Sequence, residues 1–246
     1  MKLKLLFLLI VSANLFSQDF VSTYAMKCKL GEINTDVNAN KVKNELLSVL
    51  ETNSDDLEFN LTFAKNISIF SFNNKMKKNE NSVNLSQINA ENLGLFYTDI
   101  NKGIILNQKT MYGQQFIVKE NIKNINWILT NEHRKIGNYT CYKAIYRTKV
   151  YLRSESGKIE KQKNVIAWYS PQLPYSTGPK GYSGLPGLIV ELYDDIFIYY
   201  LKRIDFNKII NIKMARPSNG KLVSRIEFDN YYEKLHEKWE EENAPR

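Results

Sequence analysis

One stretch constrains this chain more than any other. Between Trp168 and Leu192 stand four of its eleven glycines (Gly178, Gly181, Gly184, Gly187) and four of its six prolines (Pro171, Pro174, Pro179, Pro186), set among aromatic and aliphatic residues. A linker this rich in glycine and proline would be polar. Glycine admits positive φ or close backbone approach, and proline fixes φ and removes a donor, so the composition specifies one backbone path. The fold must therefore hold an ordered, apolar loop that feeds directly into a strand at Leu188-Ile189-Val190.

The rest of the chain reads mainly as strands. Leu57-Glu58-Phe59-Asn60-Leu61-Thr62-Phe63 alternates strictly, and Asn66 to Phe72 repeats the pattern after a turn at Ala64-Lys65-Asn66. Phe20 to Leu30 is a weaker first strand. Short strands are expected at 94–98, 103–110, 114–120 and 126–131, with turns at Asn101-Lys102-Gly103 and Tyr112-Gly113. Arg134 to Asn138 reads as a turn into a long strand, Tyr139 to Leu152, whose partner is Lys161 to Tyr169. Beyond the loop come Leu188 to Tyr193, Phe197 to Asp205 and Lys208 to Ala215, with a turn at Asp194-Asp195. Residues 73–92, rich in Asn, Lys, Ser and Glu, read as a long exposed loop.

Two segments have helical period. Val42, Leu46, Leu47, Val49 and Leu50 predict a short helix over Asn40 to Glu51, and Phe228, Tyr232, Leu235 and Trp239 predict one over Glu227 to Glu242. Hairpin-connected strands with helices near the two ends argue for a mainly β (α+β) fold: a single curved antiparallel sheet or half-barrel.

Residues 1–17 have the form of a secretory signal: Lys2 and Lys4, an apolar run from Leu5 to Val11, then Leu15-Phe16-Ser17 before Gln18. Cleavage after Ser17 takes 17 of 246 residues and two lysines, leaving 229 residues and a net charge of +6 in place of +8. One domain over 18–246 suffices for that length. No later apolar run reaches the roughly 20 residues of a spanning helix. The expected location is periplasmic, outer-membrane-associated or secreted. The lysine excess reads as spread along the chain, which argues against nucleic acid as a partner. In an exported protein Cys28 and Cys141 either form one disulfide or stay as two buried thiols.

The residues that carry chemistry elsewhere are sparse. His133 falls in a turn and His236 on the terminal helix, and the sequence holds no HExxH, no GxSxG and no His/Cys cluster, so no metal or cofactor is expected. The three-residue glycine period is too short for collagen, and the loop lacks the Gly-Lys-Ser/Thr ending of a phosphate loop. Glu191 shares a strand face with Ile189 and Tyr193, where it either meets solvent or stands at the mouth of a curved sheet. The aromatics Trp168, Tyr169, Tyr175 and Tyr182 either wall a pocket for an apolar ligand or fasten the loop to the sheet.

Gly184-Leu185-Pro186-Gly187-Leu188-Ile189 resembles the signature of the GLPGLI family of exported Bacteroidetes proteins. The resemblance extends to Trp127-Ile128-Leu129, to Lys135 through Ala144, to Ala167-Trp168-Tyr169, to Gly178-Pro179 and to the early hairpin at Leu61 to Phe70. It implies a small exported β protein with no established activity and no catalytic residue. The preferred expectation is a non-enzymatic binder of an apolar or amphipathic ligand, such as a lipid, or of a protein segment. The alternatives are an assembly partner using an edge strand and an envelope hydrolase using Glu191 or Asp194.

Overall fold

The computed structural model describes residues 18–28, 57–73, 85–154, 157–206 and 214–243. The expected signal at 1–17, the helix at 40–51 and most of the strand at 208–215 lie outside them.

Twelve strands form one sheet: β1 (Phe20–Cys28), β2 (Glu58–Ala64), β3 (Ile67–Phe72), β4 (Leu95–Asp99), β5 (Ile104–Met111), β6 (Gln114–Asn121), β7 (Trp127–Ile136), β8 (Tyr139–Ser154), β9 (Gly157–Ser170), β10 (Leu188–Asp194), β11 (Phe197–Asp205) and β12 (Lys221–Ser224). Their order is β12-β6-β5-β4-β3-β2-β1-β11-β10-β9-β8-β7. Two hairpin meanders, β2 to β6 and β7 to β11, are joined by β1, which pairs with β2 on one side and β11 on the other. Tight turns between neighbours make antiparallel pairing the default. A mainly β fold built on one curved sheet, with a C-terminal helix, is what the sequence predicts.

Strand alternation sorts the side chains. Phe59, Leu61 and Phe63 of β2 join Phe20, Tyr24, Phe70 and Tyr199 in an aromatic core on the inner face. The Phe59 and Phe70 rings stack at 5.2 Å, with Tyr199 edge-on to Phe59 at 5.4 Å. On the outer face Ile69, Tyr97, Leu106 and Ile117 form a smaller cluster covered by Met214.

Four expectations need correction. Residues 85–92 form a helix, α1 (Leu85–Asn92), with Ala90 fully buried. With apolar residues only at Leu85, Ile88 and Ala90, it is too short to show a period. The chain from 134 to 136 continues β7, and only Gly137-Asn138 turns. Met214 and Ala215 are irregular. Finally, β12 was not foreseen and pairs in parallel with β6, Leu222 opposite Ile117, so the sheet is not wholly antiparallel. β12 leads into the terminal helix, α2 (Arg225–Asn243), whose Phe228 packs edge-on against Phe116 at 5.4 Å.

Candidate functional site

The glycine- and proline-rich loop, residues 171–187, crosses the inner face of the sheet. Close approach of neighbouring atoms explains Gly187 and Gly181. A Cβ on Gly187 would stand 2.2 Å from the Ser170 carbonyl oxygen, and one on Gly181 (φ +76) would stand 2.8 Å from Ile105 Cγ2. Short turns bind the loop to itself, the Thr177 amide donating to the Tyr175 carbonyl at 2.8 Å. It is also tied to the start of β10: the Leu188 amide donates to Leu173 at 2.8 Å and the Ile189 amide to Thr177 at 3.0 Å. Pro186 and Gly184 face solvent, whereas Leu185, Gly187, Leu188 and Ile189 are buried, so the six-residue signature is one strand entrance seated in the core.

Each predicted site aromatic is engaged within the protein. Tyr175 is buried with its ring 4.6 Å from Phe20 and 5.3 Å from Phe63. Tyr182 packs on Trp127 at 6.0 Å and Tyr146 at 6.4 Å, while the Trp127 indole donates to the Ser183 carbonyl at 2.8 Å. Tyr169 meets Tyr142 at 6.2 Å. Across the loop floor the buried Tyr24 hydroxyl donates to the Ile189 carbonyl at 2.6 Å, and Thr177 donates to Ser68 at 2.8 Å. The loop thus fills the curve of the sheet. A cavity of about 260 Å³ opens elsewhere, between the end of α1 and β5, lined by polar residues that include Glu91, Gln108 and Lys109.

Trp168 and Glu191 lie paired on the other face. A register shift between Ile189 and Glu191 breaks the alternation there, so Ile189 is buried and does not share the face of Glu191, contrary to the simple strand pattern. Arg134 of β7 stacks 4.2 Å over the Trp168 ring and forms an ion pair with Glu191, and the Tyr193 hydroxyl donates to the same carboxylate at 3.2 Å. This carboxylate is held by a guanidinium and a phenol.

Asp194 does not turn toward water. Its side chain is 1% exposed and is clamped between Lys163 of β9, 2.5 Å away, and Lys180 of the loop. Burial pushes its carboxyl up, but the two ammonium groups and their hydrogen bonds outweigh that and hold it below the ordinary value. Lys180 also lies 5.9 Å over the Tyr199 ring. Sequence reasoning missed this triad because its members are 14 to 31 positions apart, with no local signal.

Cys28 and Cys141 are two buried thiols, not a disulfide. They lie on β1 and β8, which β11, β10 and β9 separate in the sheet. Burial, and then the nearby Glu191 carboxylate, push the Cys141 thiol up to about 11, which makes it a poor nucleophile. His133 stands beside Tyr142 at the surface, and His236 Nδ1 shares a 2.7 Å hydrogen bond with the Tyr112 hydroxyl. Among the described residues no three His, Cys, Asp or Glu side chains are grouped to hold a metal ion.

Fold and site together define a single-sheet β protein that fills its own concavity with an ordered loop and leaves strand β7 at the sheet's end. Residues 127–191, spanning β7, β8, β9, the loop and the first half of β10, match the model of a family described as a protein of unknown function (Porph_ging). No curated protein matches the chain. Among solved structures it is similar to "Structure of PNGF-II in C2 space group", with a TM-score of 0.50 at 13% identity over 88% of this chain and 33% of that one. "Structure of PNGF-II in P21 space group" gives 0.49 at 12% identity, with coverages of 88% and 33%. The chain spans about a third of the length of these structures, and at such identity the likeness is one of fold.

Proposed function

We propose that this chain is an exported cell-envelope protein of the GLPGLI family that binds an extended segment of another protein at the open edge of its sheet and catalyses no reaction. The observation that carries the reading is the state of β7. It ends the strand order, no described strand pairs with its outer side, and Ile128 and Leu129 stand 46% and 57% exposed upon it. A strand edge offers unpaired amides and carbonyls, and exposed apolar side chains beside it supply affinity for an added strand. A two-residue register shift between Leu129 and His133 interrupts the edge, with the Thr130 hydroxyl donating to the Lys143 carbonyl at 3.1 Å, so pairing is favoured before the shift.

The inner face offers less. The loop occupies it, which favours the fastening role of Tyr175 and Tyr182 over a wall around an apolar ligand. Glu191 and Asp194 are both held by cations, which weighs against a free general acid or base.

The test is native and organic-extracted mass spectrometry of protein purified gently from its host, combined with crosslinking from position 129. Expected are a mature chain beginning at Gln18, no bound small apolar molecule, and a crosslinked partner peptide that is lost in an Ile128→Lys, Leu129→Lys variant of unchanged thermal stability. A co-purified lipid would sink the reading in favour of a carrier.

A further inference from the structure

Lysine and arginine occur throughout the chain, but much of their excess over Asp and Glu falls in one segment. Residues 127–170, which contain β7, β8 and β9, hold nine lysines and arginines against three glutamates, a net of +6, where the whole chain carries +8. The pairing places this charge. β7 accompanies β8 only as far as Trp127 opposite Tyr146, whereas β8 and β9 stay paired to Ser154 opposite Gly157. Beyond Tyr146 they run on as a two-stranded ribbon; no described strand pairs with the outer side of β8 there, nor with the other side of β9 before Val165.

Paired residues share a face. Arg147 opposite Asn164 and Lys149 opposite Gln162 lie on one face of the ribbon, and Lys161 opposite Val150 lies on the other. Arg147, Lys149 and Lys161 are exposed, and Ile128 and Leu129 stand where the ribbon meets β7. Lys149 is ion-paired with Glu160 at 2.8 Å, which leaves Arg147 on one face and Lys161 on the other flanking the unpaired outer side of β8. A flat anionic surface would meet only one face and leave the edge amides unpaired. A strand lying along the edge would project alternate side chains toward both.

We propose that the β8 edge of the ribbon accepts an extended acidic segment of a partner protein as a further strand, its carboxylates meeting Arg147 and Lys161 from the two faces. This β8 edge continues the line of β7, one strand inward of the β7 edge put forward above; the proposal names the partner chemistry for strand addition at this end of the sheet and rests on that reading. Attraction between such a segment and this cationic ribbon speeds encounter and selects against basic strands.

The probes are fluorescent synthetic peptides of one length that alternate valine with glutamate, threonine or lysine, an unpatterned polyglutamate, and vesicles of phosphatidylcholine with phosphatidylglycerol, titrated into the mature chain. The valine-glutamate peptide is expected to bind most tightly, to weaken steeply as salt rises, and to lose at least about tenfold in affinity in an Arg147→Gln, Lys161→Gln variant of unchanged melting temperature. If the threonine and glutamate peptides bind alike and without salt dependence, the acidic inference falls while edge binding stands. Should polyglutamate bind equally well, charge alone acts and strand addition is overturned. No binding by any peptide, or binding only to the anionic vesicles, defeats both.

Discussion

Asp194 shows how much a single residue can hide in a sequence. Read locally, Asp194-Asp195 is a turn signal, and the turn exists, but the first aspartate points inward to Lys163 and Lys180. Asp194→Asn would leave two ammonium groups facing a neutral amide. It is expected to cost about 3 kcal/mol, the low end for breaking a buried pair because both lysines reach solvent. The sign of the pH effect follows from the lowered carboxyl. Its contribution is complete above the ordinary value of 3.8 and is lost as pH falls through the lower folded value. Urea titrations at neutral pH and below 3.8 should therefore show the gap between wild type and variant closing in acid. A gap of constant size would mean the carboxylate is not the stabilising form. The cysteines make an equally local prediction: without reductant, Cys28 and Cys141 should resist alkylation in the native protein and take up two labels on unfolding, whereas a disulfide would take up none.

Elements were legible where a strand shows one face to the core and the other to water. β2 and β3 were marked by alternation, and α2 by an apolar residue at every turn, Phe228 above all. Its first turn has a capping box as well: the Glu227 amide donates to the Ser224 hydroxyl at 3.2 Å and the Ser224 amide to the Glu227 carboxylate at 2.7 Å. Ser224→Ala should cost about 1 kcal/mol, and Phe228→Ala about 3 kcal/mol for the lost contact with Phe116. Chemical denaturation of the two variants checks both, and an equal cost for the two would mean that α2 is held by its cap and not by its packing. What escaped the sequence were elements without a period to read. β12 has four residues, and its partner β6 lies a hundred positions earlier. The extension of β7 through His133, Arg134 and Lys135 is polar throughout, and nothing in a polar run separates an edge strand from a turn.

At the scale of the whole molecule the loop decides what the sheet can do. Its composition announced order, but its position depends on contacts with β1, β2, β4 and β5 that no local pattern encodes: Tyr175 against Phe20 and Phe63, and Gly181 over Ile105. A curved sheet of this size would otherwise present a wide aromatic trough to water, and burying that surface is the main source of its stability. The loop is then a piece of core and not a lid, which native-state hydrogen exchange can distinguish. The amides of Leu173, Thr177, Leu188 and Ile189, all donating to backbone carbonyls of the loop or its flanks, should exchange as slowly as those of β10 and β11 and respond to denaturant with the global slope. Gly187→Ala, which drives a methyl group into the Ser170 carbonyl, should speed exchange in loop and strands together and lower global stability by about 1–3 kcal/mol. Fast exchange of these four amides with the rest of β10 and β11 still protected would make the loop and its strand entrance a separate opening unit, and the concave face, in place of the β7 edge, would become the surface to test for a ligand.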